Sequence, residues 1–316
     1  MTGFILAAGF GTRLKPLTDH VPKALVPVCG IPLLKRAHDF FSANGFDRIA
    51  VNSHHHPEQV QDFITDAKLD CVIFHEAGKI RGTGGALFFA RDFLADEEYF
   101  CVANVDIVAT LDLRSLFGAF VNMSCGAGLV SIVSTRGTLW YDAETKDYIG
   151  ARSEQSGVPG GCRGEPRGAE FMGIAFYKKE IINLLTAEDF SILPVWKRCR
   201  EQGMSVKIIE AKPDYWIDLG TPATLAGIHF DVLDEKCRLA VPEHLIVDGK
   251  KKKACPRSFD MSLRERLGPY SWVDAPFMPS SCEISRSIIF SDAVVPEHAI
   301  VKNSLFTKYG AISFGS

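Results

Sequence analysis

Short apolar runs alternate with segments of helical spacing in the N-terminal half of the chain. The apolar runs have the length of buried strands and are residues 3–8, 48–52, 71–75 and 99–103. The segments between them carry apolar residues at helical spacing and are residues 33–44, 57–67 and 83–94. Strands that alternate with helices in this way predict βαβ units. We therefore expect a Rossmann-like α/β fold, with a mixed, mostly parallel sheet and helices on both faces.

This alternation becomes less regular after residue 106. Strands are predicted at residues 126–135, 170–177 and 206–211, and a helix at residues 190–202. Residues 148–168 are rich in Gly, Arg and Glu, a composition that predicts a long loop. Loops of this length inside a compact domain are usually functional lids or disordered segments.

The C-terminal part of the chain has a period of six residues. The recurring apolar positions are Ile288, Val294, Ile300 and Phe306. A second row with the same six-residue period, one position earlier in the repeat, holds Ser287, Ala293, Ala299, Leu305 and Ala311. This period predicts a short, left-handed parallel β-helix in which each strand turns one side chain inward. The alternative is an edge hairpin with accidental spacing. The predicted domains are residues 1–230 and residues 231–316.

Composition and charge narrow the class of protein. The 316 residues are 47% hydrophobic and carry a net charge of −3, which is average for a globular protein. This balance does not predict nucleic-acid binding, and the apolar runs are too short for a membrane span. Nine scattered cysteines without a CxxC pair favour reduced thiols. We therefore expect a cytoplasmic protein with neither nucleic acid nor membrane as a partner.

The loop of residues 6–23 carries the densest chemistry in the sequence. It follows the first predicted strand, and ligands bind at the carboxyl ends of strands in open α/β sheets. Gly9 and Gly11 allow a tight turn whose backbone N–H groups can face an anion. Thr12 adds a hydroxyl donor, Arg13 a fork of donors for phosphate oxygens, and Lys23 a compact positive charge. The loop is therefore predicted to hold a triphosphate.

Two other phosphate-binding motifs are excluded by the same residues. A Walker A loop needs GxxxxGK followed by Ser or Thr, and the segment lacks that string. A dinucleotide-binding fingerprint needs a third glycine where Leu14 stands. An ordinary glycine-rich turn beside two cations is the remaining alternative.

Residues 6–28 resemble the signature of the sugar-phosphate nucleotidyltransferases, which include mannose-1-phosphate guanylyltransferases and N-acetylmuramate-1-phosphate uridylyltransferases. The resemblance resumes at later points and covers most of residues 3–228, and the predicted β-helix resembles an appendage of many members. It implies an enzyme that makes an NDP-sugar and pyrophosphate from a nucleoside triphosphate and a sugar 1-phosphate. UTP or GTP is the favoured donor, with N-acetylmuramate, mannose or heptose 1-phosphate as candidate acceptors.

Two aspartates are candidates for binding Mg²⁺. Asp106 follows a predicted strand, where a carboxylate beside a phosphate loop suits this ion. Asp218 lies in Trp216-Ile217-Asp218-Leu219-Gly220-Thr221-Pro222, which resembles the family's second metal-ligand motif. The resemblance implies that Asp106 and Asp218 together hold Mg²⁺ and that Asn104 contacts the sugar. Taken alone, Asp106 could instead cap a helix and Asp218 could form an Asx turn.

A second glycine-rich string indicates the nucleobase site. Gly82-Thr83-Gly84-Gly85-Ala86-Leu87 resembles the family's Gly-Thr-Ala-Gly-Ala-Leu string, with Gly84 in place of alanine. The resemblance implies that Leu6, Ala8 and Gly82 contact the base, largely through backbone atoms. Such contacts separate uracil, thymine and guanine only subtly, so the base stays open. The string also predicts the N-terminus of a helix.

The implied reaction is an in-line attack of the sugar phosphate on the α-phosphorus. Arg13, Lys23 and Asp106 are the predicted catalytic residues, with Arg13 at the β- and γ-phosphates and Lys23 at the α-phosphate. The Glu-Lys-Pro triplet that contacts the sugar in many relatives is missing from this sequence. Gly150, Glu154 and Glu170 are the candidate sugar contacts instead.

Two alternatives to this activity are considered. The first is a catalytically inactive paralogue that binds a nucleotide sugar and regulates, and the missing triplet is its only support. The second is a β-helix acyltransferase, which the small number of predicted coils disfavours. An exposed β-helix edge would favour a homo-oligomer through the C-terminal domain.

Overall fold

The computed structural model describes residues 1–154 and 163–314, and side chains are described for the same residues except residue 154. The α-helices of this part are α1 (Leu33–Ala43), α2 (Pro57–Asp66), α3 (Gly82–Phe89), α4 (Arg91–Leu94), α5 (Leu113–Asn122), α6 (Leu193–Glu201), α7 (Pro222–Leu233) and α8 (Met261–Arg266). The strands are β1 (Thr2–Leu6), β2 (Pro27–Val28), β3 (Ile31–Pro32), β4 (Arg48–Ser53), β5 (Val72–His75), β6 (Tyr99–Asn104), β7 (Ile107–Ala109), β8 (Ala127–Val133), β9 (Leu139–Asp142), β10 (Tyr148–Ala151), β11 (Pro166–Lys178), β12 (Val206–Glu210), β13 (Trp216–Asp218), β14 (Leu245–Asp248), β15 (Lys253–Pro256), β16 (Ser271–Val273), β17 (Glu283–Ser285), β18 (Ser287–Ile289), β19 (Ile300–Lys302), β20 (Ser304–Thr307) and β21 (Gly310–Ser313).

The chain divides into two compact units that do not follow one another along the sequence. The first contains Met1–Gly9 and Ala37–Trp216, and the second contains Phe10–Arg36 and the chain from Ile217 onward. Most of the predicted triphosphate loop thus belongs to the same unit as the C-terminal strands. The functional boundary at residues 230/231 remains a prediction, because compactness does not define function.

A nine-stranded mixed sheet forms the centre of the first unit. Its main path runs β10-β9-β11-β6-β1-β4-β5, with β8 beside β11 and β12 beside β8. The neighbours β6-β1-β4-β5 are parallel, as are β8 and β12, whereas β11 runs antiparallel to β6, β8 and β9. The α/β class predicted from the sequence is therefore confirmed. Its core includes the buried rings of Phe4, Phe100 and Trp196.

Two details of the first unit differ from the predictions. The helix predicted at residues 83–94 is divided into α3 and α4, because the backbone of Ala90 leaves helical geometry at φ −93° and ψ 9°. The loop predicted at residues 148–168 contains β10 at one end and the start of β11 at the other. Residues 155–162 lie outside the described residues.

Stacked parallel strands make up much of the second unit. Strand β16 pairs in parallel with β15 and β18, β18 with β20, and β17 with β19. This pairing is compatible with the predicted β-helix. The expectation that Val294 and Ile300 turn inward is wrong, since they are 79% and 65% exposed. Residues paired in parallel lie 16, 17 or 18 positions apart, as in Ser271–Ser287, Ile288–Leu305 and Lys253–Ser271. A strict six-residue period therefore drifts out of phase along the stack.

Every cysteine in the described part of the chain is a free thiol. Across residues 1–154 and 163–314, no helix combines the length and the apolar character needed to cross a bilayer.

Candidate active site

The carboxyl end of β1 lies beside that of β6 in the first unit. Leu6 and Asn104 are register partners on these parallel strands, and the Val105 N–H donates to the Leu6 carbonyl at 3.1 Å. Asp106 follows two residues after β6 and is partly exposed. The predicted base contact Leu6 and the predicted sugar contact Asn104 therefore share one sheet edge with the candidate metal ligand Asp106.

Strand β11 extends past the end of β6 and brings Gly173 next to Asn104. Gly173 has φ +76°, and an added Cβ there would lie 3.0 Å from Asn104 Nδ2 and 2.7 Å from Ile107 Cγ1. A side chain at this position would be strained and would displace the amide. The position therefore requires glycine, and the sequence string 170–174 contributes to the edge where Asn104 lies.

Two candidate sugar contacts lie on β11 and β10, the strands on either side of β9. The Glu170 carboxylate accepts hydrogen bonds from the N–H of Thr138 at 3.1 Å and from its hydroxyl at 3.5 Å. Gly150 is buried in β10 and pairs with Trp140 of β9. The side chain of Glu154 lies outside the described residues. Glu170 is thus held in place by the β8–β9 loop, and Gly150 can offer only main-chain atoms.

The glycine-rich string begins helix α3, as predicted, and is held by a second segment. Gly82 has φ +70°, and an added Cβ would lie 2.0 Å from the Phe190 carbonyl oxygen. The N–H groups of Thr83 and Gly85 donate to the carbonyls of Phe190 and Asp189 at 2.8 and 2.6 Å. These carbonyls satisfy two of the first-turn N–H groups that a helix cannot satisfy internally.

Two buried polar residues near this edge were missed by the sequence analysis. Asn52, at the end of β4, is 2% exposed, and Glu76, just after β5, is fully buried. They are hydrogen-bonded to each other at 2.7 Å. The signal was present in the sequence, since each polar residue directly follows or ends a predicted apolar strand.

The second unit contains the rest of the predicted triphosphate loop. Gly11 adopts a left-handed conformation with φ 62° and ψ 34° before the 3₁₀ turn Thr12–Leu14. Its carbonyl accepts hydrogen bonds from the Leu14 N–H at 2.8 Å and the Thr18 hydroxyl at 2.9 Å. An added Cβ would lie 2.9 Å from Thr18 and 3.0 Å from Lys23. Gly11 is therefore required by the loop geometry.

Gly9, Thr12 and Lys23 have different environments. An added Cβ at Gly9 would meet nothing within 4 Å among the described residues, so packing does not explain this glycine. Thr12 is exposed, whereas Lys23 is only 9% exposed at the start of the 3₁₀ turn Lys23–Leu25. The loop thus combines the accessible hydroxyl of Thr12 with the largely buried side chain of Lys23.

Arg13 lies next to the Asp218 motif within the same unit. Its Nη2 is 4.0 Å from Asp218 Oδ2, and both side chains are substantially exposed. Thr221 caps α7 with a capping box to Thr224, and Pro222 occupies its first turn. The Gly-Thr-Pro part of the motif therefore turns the chain from Asp218 into a helix.

The donor atoms of the two aspartates suit a hard divalent cation. Asp106 and Asp218 each offer carboxylate oxygens and are partly exposed, which fits the Mg²⁺ preference for a few carboxylates plus phosphate and water. The described residues contain no group of three or more His, Cys, Asp or Glu side chains that could bind a metal. Each aspartate thus has donor atoms of the kind that bind an ion which also contacts phosphate oxygens and water.

A separate cavity of the first unit does not contain the predicted chemistry. It has a volume of 440 Å³ and is lined by Asp142, Thr145, Asp147, Tyr148, Ile149, Arg163, Arg200, Gly203, Met204, Ser205 and Val206. None of the predicted site residues lines it. We assign the candidate site by its chemistry at the sheet edge, because a cavity alone does not define a reaction.

Comparisons with known proteins give relatives of this chain. Residues 2–138 match the sequence profile of the family described as Nucleotidyl transferase. Mannose-1-phosphate guanylyltransferase 1 of Arabidopsis thaliana is 28% identical over 264 residues, which cover 78% of this chain and 70% of that protein. N-acetylmuramate alpha-1-phosphate uridylyltransferase of Caulobacter vibrioides is 28% identical over 227 residues, covering 69% of this chain and 91% of that protein.

A solved structure shares the fold. HddC from Yersinia pseudotuberculosis superposes with a TM-score of 0.58 at 22% identity, covering 72% of this chain and 97% of that chain. The sequence relatives and the profile match point to one family, to which the predicted motifs also correspond. Together, the profile match and these relatives support a sugar-phosphate nucleotidyltransferase family for this chain.

Proposed function

We propose that this nucleotidyltransferase is catalytically active and makes an NDP-sugar and pyrophosphate from a nucleoside triphosphate and a sugar 1-phosphate. The observation that carries the proposal is the loop around Gly11, whose left-handed turn precedes Thr12 and Arg13 and packs against Lys23. Such a turn with adjacent cations suits a polyphosphate. Arg13, Lys23, Asp106 and Asp218 are all present, which supports an active enzyme over an inactive paralogue.

The proposed mechanism needs no general base. A sugar phosphate is already an anion near neutral pH, so its oxygen can attack the α-phosphorus directly while pyrophosphate leaves. Arg13 neutralises the β- and γ-phosphates, and Lys23 neutralises charge that develops at the α-phosphate. Asp106 and Asp218 are the proposed ligands of Mg²⁺, which when bound supplies further positive charge to the phosphate oxygens. Positioning and charge neutralisation thus account for the catalysis.

Substrate choice is proposed from the relatives. One of them is named a guanylyltransferase that uses mannose 1-phosphate and another a uridylyltransferase that uses N-acetylmuramate 1-phosphate. We therefore propose GTP or UTP as the donor, and mannose, heptose or N-acetylmuramate 1-phosphate as the acceptor. Glu170 is the proposed ligand of the sugar hydroxyls, since Thr138 already orients its carboxylate.

Pyrophosphate release with a matrix of nucleoside triphosphates and sugar 1-phosphates in Mg²⁺ tests the activity. Release with at least one pair is expected. Asp106→Asn and Lys23→Met should each abolish most turnover while the circular dichroism spectrum is kept. Lys15→Ala is the matched control, because this cation of the same loop pairs with Asp19 at 2.7 Å and has no proposed catalytic role. Triphosphate binding without release for any pair would favour the inactive paralogue.

A further inference from the structure

A buried carboxylate and a buried amide connect three strand ends of the first unit. Glu76 follows β5 and is fully buried, and Asn52, near the end of β4, is 2% exposed. A buried carboxylate is costly unless hydrogen bonds satisfy it. The hydrogen-bond partners of Glu76 therefore show which segments of the main chain this carboxylate holds in place.

These partners form a chain of three hydrogen bonds, each 2.7 Å long. Asn52 Oδ1 accepts from the N–H of Ala7, Asn52 Nδ2 donates to Glu76 Oε1, and Glu76 Oε2 accepts from the N–H of Arg81. The orientation of the Asn52 amide follows from these partners, since its oxygen faces a donor and its nitrogen faces a carboxylate. The row of three hydrogen bonds thus ends at a main-chain N–H group on each side, that of Ala7 and that of Arg81.

The two N–H groups belong to residues that directly precede the proposed base contacts. Ala7 precedes Ala8, and Arg81 precedes Gly82. We propose that Asn52 and Glu76 are positioning residues that fix the two base-binding segments relative to each other. This inference rests on the proposed function, because it assumes that Ala8 and Gly82 contact the nucleobase.

The contacts around Glu76 explain why its position is well defined. Its N–H donates to the Ser53 carbonyl and its carbonyl is hydrogen-bonded to His54 Nδ1, both at 2.8 Å. The main chain of Glu76 is therefore fixed to the end of β4. Because base recognition through backbone atoms depends on the placement of the main chain, loosening either end should weaken nucleotide binding selectively.

A reciprocal exchange of the two side-chain types tests the proposal. Glu76→Gln replaces one acceptor oxygen by an NH₂ group. This group then faces another donor, either the Asn52 amide nitrogen or the Arg81 N–H, so one of the three hydrogen bonds is lost. Asn52→Asp removes the donor to Glu76 and places two carboxylates together. The double variant Asn52→Asp/Glu76→Gln restores all three bonds, with the central bond reversed and the net charge unchanged. Steady-state KM values for GTP, UTP and the sugar 1-phosphate are measured for all four proteins.

We expect each single variant to raise the KM of the nucleotide about tenfold, the loss expected for one unsatisfied buried group. The KM of the sugar 1-phosphate should change less than about twofold on the same reasoning. The double variant should recover most of the nucleotide affinity. Unchanged nucleotide KM in both folded single variants would overturn the proposal. So would a double variant no better than the single variants, or an equal rise in both KM values.

Two further measurements distinguish a loss of the positioning role from a failure to fold and from a lack of enzymatic activity. If a single variant does not fold, Glu76→Asp replaces it, because this change keeps the carboxylate and shortens its reach; an unchanged nucleotide KM in Glu76→Asp would overturn the proposal. If the unsubstituted protein releases no pyrophosphate, the proposed function fails by itself. Calorimetric binding of GTP and UTP to the same proteins then tests the positioning role, with the same selective loss and recovery expected.

Discussion

The guanidinium of Arg13 lies directly against the main chain of Gly220. A Cβ added to Gly220 would come 2.4 Å from Nη2 and 2.5 Å from Cζ of Arg13. The glycine of the Asp218 motif therefore leaves space for the arginine of the triphosphate loop. Because the crowded atoms are at the end of a flexible side chain, the fold can tolerate a methyl group here, but the guanidinium cannot stay in place.

Gly220→Ala is accordingly expected to lower activity without lowering stability. Displacing the guanidinium by about 1 Å should reduce kcat/KM by about tenfold or more, while Tm stays near that of the unsubstituted protein. The matched control is Gly227→Ala in α7, where an added Cβ meets nothing within 4 Å of the described residues. Equal kcat/KM in both variants would contradict the role of Arg13.

The pattern of apolar residues along the sequence predicted most of the parallel strands of the first unit. The alternation of apolar runs and helical segments located β1, β4, β5 and β6 within a few residues, because side-chain periodicity is set by local backbone geometry. The string at Gly82 was correctly predicted to start a helix. The break at Ala90 was not predicted, since apolar spacing continues through it.

Relationships across long sequence distances could not be predicted. The six-residue period suggested that Val294 and Ile300 are buried, although register along the stack decides which residues turn inward. The hydrogen bond between the side chains of Asn52 and Glu76 depends on β4 and β5 being neighbours in the sheet. The spacing of apolar residues along the sequence does not specify which strands are neighbours. The roles assigned to the candidate site residues remain predictions, because they follow from chemistry and resemblance.

Gly84 offers a test of why this chain departs from the family's usual alanine. A Cβ at Gly84 would lie 2.6 Å from both the Cβ and the carbonyl oxygen of Asp189, whose side chain pairs with Arg198. Gly84→Ala should therefore lower the free energy of unfolding by about 1–3 kcal/mol, the usual cost of overpacking. Urea unfolding measures this effect, with Gly118→Ala in α5 as a control that meets no neighbour within 4 Å in the described structure. Equal stability of the two variants would show that the segment at Asp189 adjusts.

A ring contact connects the C-terminal hairpin to the triphosphate loop. Tyr309, between β20 and β21, stacks on His20 with ring centroids 3.9 Å apart and an interplanar angle of 18°. Aromatic pairs contribute about 0.5–1.5 kcal/mol, so Tyr309→Ala should raise the nucleotide KM about two- to tenfold. Tyr309→Phe, which keeps the ring, should have little effect. In a double-mutant cycle with His20→Ala, additive effects would contradict coupling through this contact.

The buried His229 predicts how stability changes with pH. Its Nε2 accepts from the Cys29 N–H at 2.9 Å, its Nδ1 donates to the Leu225 carbonyl at 2.7 Å, and its ring packs edge-on against Trp272. Burial, together with the nearby Arg36 guanidinium, lowers the pKa of His229 from 6.5 to about 4, although the hydrogen bond to the Leu225 carbonyl acts in the opposite direction. The folded protein therefore keeps this imidazole neutral.

The sign of the effect follows from proton uptake. Below pH 6.5 the unfolded chain binds a proton at His229 that the folded chain does not bind, so the free energy of unfolding falls as pH falls toward 4. Between pH 7 and pH 5 this residue should remove about 2 kcal/mol of stability. Urea unfolding of the unsubstituted protein and of His229→Gln at both pH values measures the difference. The Gln variant should be less stable at pH 7, because it lacks the imidazole packing, but should lose about 2 kcal/mol less between the two pH values. Parallel pH dependence of the two proteins would show that His229 does not titrate in this way.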